Sequence, residues 1–269
     1  MRTALRLPTT RVSALASLAL GCGLASVPLF GVHGVESALV LGLVLPPMVA
    51  AVAARLALAA RRERAPLDVS ELASGAVSAG LAILALPVLV LALNAMRVKN
   101  CAPFEGLAFI GLGPGAGVVL AAVSGTAVAL APLRGVFATM LAVGIVLGVS
   151  LLALVRIWAT PAVFAYGHFF GYFPGSLYDE IVPLPAALTN LRVVTAILVF
   201  GLLALVRAHF DPARGQLALR PLPGRVALSA FGAFGLSIGV AAEIFGADLG
   251  LRTSAAYIAD ELGAHVESA

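Results

Sequence analysis

The chain has 269 residues, of which 61% are hydrophobic and only 11% charged, with a mean hydropathy of +1.06. A water-exposed globule needs roughly a quarter of its residues charged, so a soluble domain is excluded. Against 13 acidic residues stand 17 Lys and Arg. In so apolar a chain this excess reads as charge that sets membrane topology rather than as a nucleic-acid footprint.

The composition therefore indicates an all-α fold, a polytopic transmembrane helix bundle of about seven spans. Apolar runs of the length needed to cross a hydrocarbon core fall at about 12–30, 38–60, 70–93, 104–130, 136–157, 186–206 and 226–247. Residues 1–247 form the bundle, with an extracytoplasmic aromatic lid at 158–185. Residues 248–269 form an extracytoplasmic amphipathic tail. In the first span, VSALASLALGC ends at Cys22 much as a lipoprotein signal does. The following CGLASVPLFG stays apolar where a processed lipoprotein turns polar, so the segment reads as a span.

With the N-terminus inside, the inner loops and helix ends collect Arg2, Arg6, Arg11, Arg55, Arg61, Arg62, Arg64, Arg134, Arg207, Arg214, Arg220 and Arg225. The outer side receives Arg97, Lys99, Arg156, Arg192 and Arg252. The bias towards positive cytoplasmic loops selects this orientation, which puts the C-terminus and the 158–185 segment outside.

Spans two, three and four carry Pro46-Pro47, Pro87 and Pro114. Proline removes a helical N–H and clashes with the turn before it, so each is a kink candidate. Span four also contains GLGPGAG, and Gly113, Pro114 and Gly115 form the strongest helix break in the chain. Two readings remain open for it: a broken helix lining a binding site, or close backbone packing. Packing is also read for Gly144–Gly148 and Gly235–Gly239, at small-xxx-small spacing. No GK[ST] follows the glycines, which removes a phosphate loop.

Charges inside a bilayer are costly and point to function or pairing. Glu105, Arg156, Arg192 and Glu243 all fall near the outer ends of spans four to seven, where opposite charges at one depth invite ion pairs. Above them lies YGHFFGYFPGSLYDE at 166–180. Between Trp158 and Tyr178 the chain places eight of its 18 aromatic residues. Tyr and Trp favour the membrane interface, so the expectation is a re-entrant or interfacial lid lying on the bundle. Its candidate binding residues are His168, Tyr172, Tyr178, Asp179 and Glu180.

Chemistry finds little support in these residues. No HExxH and no second nearby histidine accompany His168, so no metal site is read. Lys99 is the only lysine, which leaves no Schiff-base candidate in the membrane core, and Cys22 and Cys101 are too few for a zinc site. No span embeds a histidine beside a serine, and none carries mid-span aspartates, so no catalytic residue is assigned. No cofactor motif is found either. The partners read from the chain are the lipid bilayer and an extracytoplasmic protein or domain, with no nucleic acid.

The tail LRTSAAYIADELGAHVESA opens on a cap at Thr253 or Ser254 and carries helical spacing at Ala255, Ile258, Ala259 and Leu262. Such an ending looks like the entrance to a further extracytoplasmic domain. NCAPFEGLAF (100–109), FFGYFPGSLYDE (169–180) and the tail together resemble the N-terminal membrane module of poorly characterised bacterial multi-pass proteins. In those proteins a peptidase-like extracytoplasmic domain follows. The resemblance covers the chain from about residue 94 onward and implies an inner-membrane location. It also implies an anchoring or scaffold module that presents an extracytoplasmic surface. The alternative is a permease or transporter subunit for a small molecule or lipid, suggested by the kinked spans and GLGPGAG.

Overall fold

The computed structural model describes residues 8–62, 68–98, 102–159, 165–173 and 184–246, with backbone only at 157–159. Seven helices follow one another: α1 (Pro8–Ala25), α2 (Val35–Arg62), α3 (Val69–Asn94), α4 (Pro103–Leu130), α5 (Gly135–Ala159), α6 (Ala186–His209) and α7 (Val226–Phe245). Six of them, α2 to α7, are long and apolar enough to cross a membrane. The protein is thus a polytopic helical bundle, as composition requires. Helix α1 is the exception: its first turn holds Thr9, Thr10 and Arg11, and it ends at Ala25 rather than near 30.

The loop after α1 explains that early end. Ser26 turns back to bond the Gly23 carbonyl through both its amide and its hydroxyl. Asn94, the last residue of α3, then donates its side-chain amide to the carbonyls of Gly31 (2.7 Å) and Ala25 (3.3 Å). Further down, Ser17 on α1 donates to the Ile83 carbonyl of α3 (2.6 Å), and Gly21 lies against the backbone of Pro87. Pro87 therefore lies in a helix–helix contact.

Other helix ends are closed by side chains, as orphan N–H and C=O groups require. Asp68 accepts the Ser70 amide at the start of α3. Arg61 donates to the Ala129 carbonyl (2.6 Å) at the end of α4. His209 joins the last turn of α6 to the following ribbon, β3 (Phe210–Asp211) and β4 (Gln216–Leu217), through the Ala218 carbonyl (3.0 Å). A carbonyl only accepts, so Nδ1 donates there, while Nε2 pairs with the Ser229 hydroxyl of α7 (3.0 Å).

The expected break in span four is milder than a discontinuity. Helix α4 runs through, widened to a π turn at Gly111–Gly115. Pro114 has no N–H, so the α-helical bond it would make to Ile110 is missing. The wider turn absorbs this, with the Ala116 amide reaching back to Gly111.

Helices α2 and α4 form the centre of the bundle, with α3, α5 and α6 packed round them and α7 set mainly against α6. Leu41, Leu45, Val49, Ile83, Leu91 and Val118 are completely or almost completely buried there. Of the two small-residue pairs, Gly235 and Gly239 serve as read. Gly235 meets Gly201 of α6 backbone to backbone, and Gly239 meets Leu198. Gly144 and Gly148 do not: among the described residues nothing outside their own helical turns lies within 4 Å of where their Cβ would stand.

For the segment after α5 the expectation is a re-entrant or interfacial lid, and its residues 165–173 pack among the helices. They form a short hairpin, β1 (Ala165–Gly167) and β2 (Gly171–Phe173), paired antiparallel with Tyr166 opposite Tyr172. Every residue from Ala165 to Tyr172 is buried. The turn His168-Phe169-Phe170 closes on Gly171, whose φ of +96° favours glycine.

Candidate functional site

Three glycines on two helices make the seat for this hairpin. A Cβ on Gly42 of α2 would stand 2.5 Å from the Phe170 carbonyl oxygen and 2.7 Å from its Cα. A Cβ on Gly117 of α4 would overlap the Phe169 carbonyl, and Gly113 lies against Gly171. Gly42 is seven residues past Val35, and Gly117 is fourteen past Pro103. At 1.5 Å per residue the hairpin tip therefore reaches about 10–20 Å below the helix ends. This is re-entrant backbone, which a membrane tolerates only where protein surrounds it.

Apolar side chains wedge the hairpin in place. Phe170 is 1% exposed, and its ring covers Gly167, leaving no room for a Cβ there. Tyr172 stacks on Phe109 of α4 (centroids 6.2 Å apart, planes 14°) and tilts against Tyr166 (5.1 Å). The aromatic residues of the segment are thus hydrophobic ballast for insertion rather than an interfacial belt.

At the tip the hairpin delivers a histidine into the bundle. His168 is 4% exposed, with Nδ1 2.8 Å from the Thr195 hydroxyl of α6. Its Nε2 stands 3.2 Å from Glu243 Oε1 of α7, at ion-pair distance but outside hydrogen-bond geometry. Glu243 Oε2 in turn accepts from Arg156 of α5 (2.6 Å). Both members of that pair are about one-third exposed, so the chain of contacts runs from the buried ring to the rim.

Arg192 supports the same tip from α6. Its Nη1 donates to the His168 carbonyl (2.8 Å) and approaches the Thr195 hydroxyl (3.3 Å), while Nη2 donates to the Gly167 carbonyl (3.1 Å). The side chain is 8% exposed, and its Nε has no partner among the described residues. Its acceptors are thus neutral: two backbone carbonyls and a hydroxyl. A guanidinium buried in this way costs several kcal/mol before compensation, so packing alone does not account for its presence.

The charged layer read from the sequence is only partly assembled. Glu243 pairs with Arg156, whereas Arg192 binds the hairpin turn instead of a carboxylate. Glu105 is exposed in the first turn of α4. Gly113 and Pro114 are buried and Gly115 half-buried; Gly113 lies against the hairpin, whereas Gly115 faces Leu84 of α3. Tyr178, Asp179 and Glu180 lie outside the described residues, as do the tail and the side chain of Trp158. Thr195 was not anticipated; its signal was the spacing LRVVT, which puts it one turn beyond Arg192 on the same face. No span embeds His168; the turn between β1 and β2 carries it among the helices.

Thr195, His168 and Glu243 stand in the order of a nucleophile, base and orienting acid. The hydroxyl is nevertheless 2% exposed and enclosed by His168, Arg192 and the Leu191 carbonyl (2.8 Å). With those three directions taken, no position remains for a substrate carbonyl, and the group reads as a proton-bonded network. Among the described residues no cluster of His, Cys, Asp and Glu could hold a metal.

The network has two self-consistent proton arrangements. Thr195 owns one hydroxyl proton; Leu191 O can only accept it, and His168 Nδ1 can either accept or donate. When the hydroxyl donates to Leu191, Nδ1 carries a proton and donates to Thr195. When the hydroxyl donates to Nδ1, the ring's proton sits on Nε2, towards Glu243.

No family model, curated protein or solved structure matches this chain.

Proposed function

We propose that this protein is a permease-class membrane protein, moving a small molecule or lipid in a cycle linked to protonation of the hairpin-borne centre. The observation that carries this reading is His168, buried at 4% exposure yet joined through Glu243 to a rim-exposed Arg156. Ionisable groups at membrane depth mark ion and proton pathways more often than architecture. The hairpin then acts as the closed outer half of the path, and proton arrival at His168 alters its hold on α6 and α7.

A second reading keeps the protein as a membrane anchor or scaffold that presents an extracytoplasmic surface to a partner or further domain. It is favoured by the hairpin seat, where backbone meets backbone at Gly42, Gly113 and Gly117. A segment clamped so closely serves rigid presentation as well as gating.

Proteoliposomes carrying an internal pH dye separate the two. Under the permease reading, one of the organic acids, amines or lipids added outside evokes proton movement. Glu243→Gln and His168→Gln lower it about tenfold or more, the scale of losing a relay group. Solute-independent baselines for all three proteins would reject it. Partner recovery lost on replacing Tyr178, Asp179 and Glu180 by alanine would then favour the scaffold.

A further inference from the structure

At the opposite, basic end of the bundle two cavities join. One, of about 490 Å³, is bordered by Asp68, Arg207, Phe210, Pro212 and Arg225. The other, of about 640 Å³, runs along the helices between Ala73 and Val77 of α3, Val123 of α4, Val199 and Leu203 of α6, and Phe231 of α7. Arg207 and Leu228 border both, so they form one groove with a polar head and an apolar shaft.

We propose that this groove is a phospholipid site, with one acyl chain along the shaft and an anionic headgroup between Arg207 and Arg225. The shaft wall is almost wholly hydrocarbon; Ser70 and Ser74 are its polar members apart from Arg207. Phe200 and Phe231, 64% and 59% exposed, flank it towards the bilayer, so a chain enters sideways without leaving hydrocarbon.

The head is positioned by structure, not by chance proximity. Arg225 Nη1 donates to the Arg207 backbone carbonyl (2.6 Å), which holds the second guanidinium beside the end of α6. One of its five N–H donors is used in that bond, and no carboxylate pairs with either arginine among the described residues. Asp68 shares the rim, but its Oδ1 accepts the Ser70 amide as the cap of α3. Two positive charges, one of them held by a backbone bond, against one engaged carboxylate select an anionic head. Arg61, Arg62, Arg134, Arg214 and Arg220 lie at the same end of the helices and add to the attraction. The site stands whether or not the chain carries a solute.

The test titrates phosphatidylglycerol and phosphatidylcholine into the delipidated full chain and counts bound lipid by native mass spectrometry. The wild type should prefer phosphatidylglycerol by about tenfold, the scale of two juxtamembrane arginines. Arg207→Gln, which leaves the Arg225 bond to the backbone intact, should remove most of that preference while phosphatidylcholine still binds. Ala73→Trp, which fills the shaft, should weaken both lipids. Equal binding of the two lipids by the wild type would overturn the proposal. So would a preference unchanged in Arg207→Gln, or a dimer that excludes lipid.

Discussion

Valine at Gly42 or at Gly117 is expected to destabilise the protein by about 1–3 kcal/mol, the cost of overpacking a filled core. The atoms a new side chain would meet are backbone: the Phe170 carbonyl and Cα at Gly42, and the Phe169 carbonyl at Gly117. A flexible side chain could turn aside, but a hairpin turn held by Arg192 and by its own pairing cannot move alone. Gly144→Ala is the control, since among the described residues nothing outside its own helical turn lies within 4 Å of its added methyl. That change should be neutral or stabilising by up to about 1 kcal/mol through helix propensity. Denaturant unfolding in bicelles measures all three, and equal midpoints would remove the seat from the account.

Arg192→Leu is expected to cost about 3 kcal/mol, because two electrostatic effects compete and one outweighs the other. Replacing a buried ion pair with hydrocarbon often stabilises, as the desolvation penalty disappears with the charges. Here the acceptors are the carbonyls of Gly167 and His168, which stay buried after the arginine is gone. Each unpaired carbonyl costs about 1–3 kcal/mol, so the loss of satisfaction exceeds the relief of desolvation. Thr195→Val removes one hydroxyl and should cost about 1 kcal/mol. The double variant should fall short of the sum, since the two side chains share the His168 turn. A stabilised Arg192→Leu would mean that the turn carbonyls find other donors.

The helices were legible because apolar runs of span length have few other solutions in a chain with 11% charged residues. Gly235 and Gly239 were legible as a packing face, but Gly144 and Gly148 carry the same spacing with nothing against them among the described residues. Spacing gives a smooth helix face and does not say what covers it. GLGPGAG was recognisable as special, although the partner for Gly113 and Gly117 is the turn of a hairpin some fifty residues later. That pairing depends on tertiary fit at Phe169 and Phe170, which no local pattern records. Arg192 and Glu243 were legible as costly charges, but not which acid would face which arginine. The depth of His168 stayed open between re-entry and the interface because aromatic, glycine-rich sequence has two physical outcomes. It rests at an interface when no slot exists, and it inserts when glycines on neighbouring helices open one.

The re-entry of the hairpin carries both the proton-bonded centre and the function built on it, and cysteine accessibility tests it most directly. In a chain with Cys22 and Cys101 replaced by serine, Phe170→Cys and Phe104→Cys are each exposed to a membrane-impermeant maleimide. Phe104, 84% exposed at the start of α4, should label rapidly. A cysteine at 170, between Gly42 and Gly167, should stay unlabelled from either side until the protein is unfolded. Labelling at 170 as fast as at 104 would contradict the inserted hairpin and the buried site together.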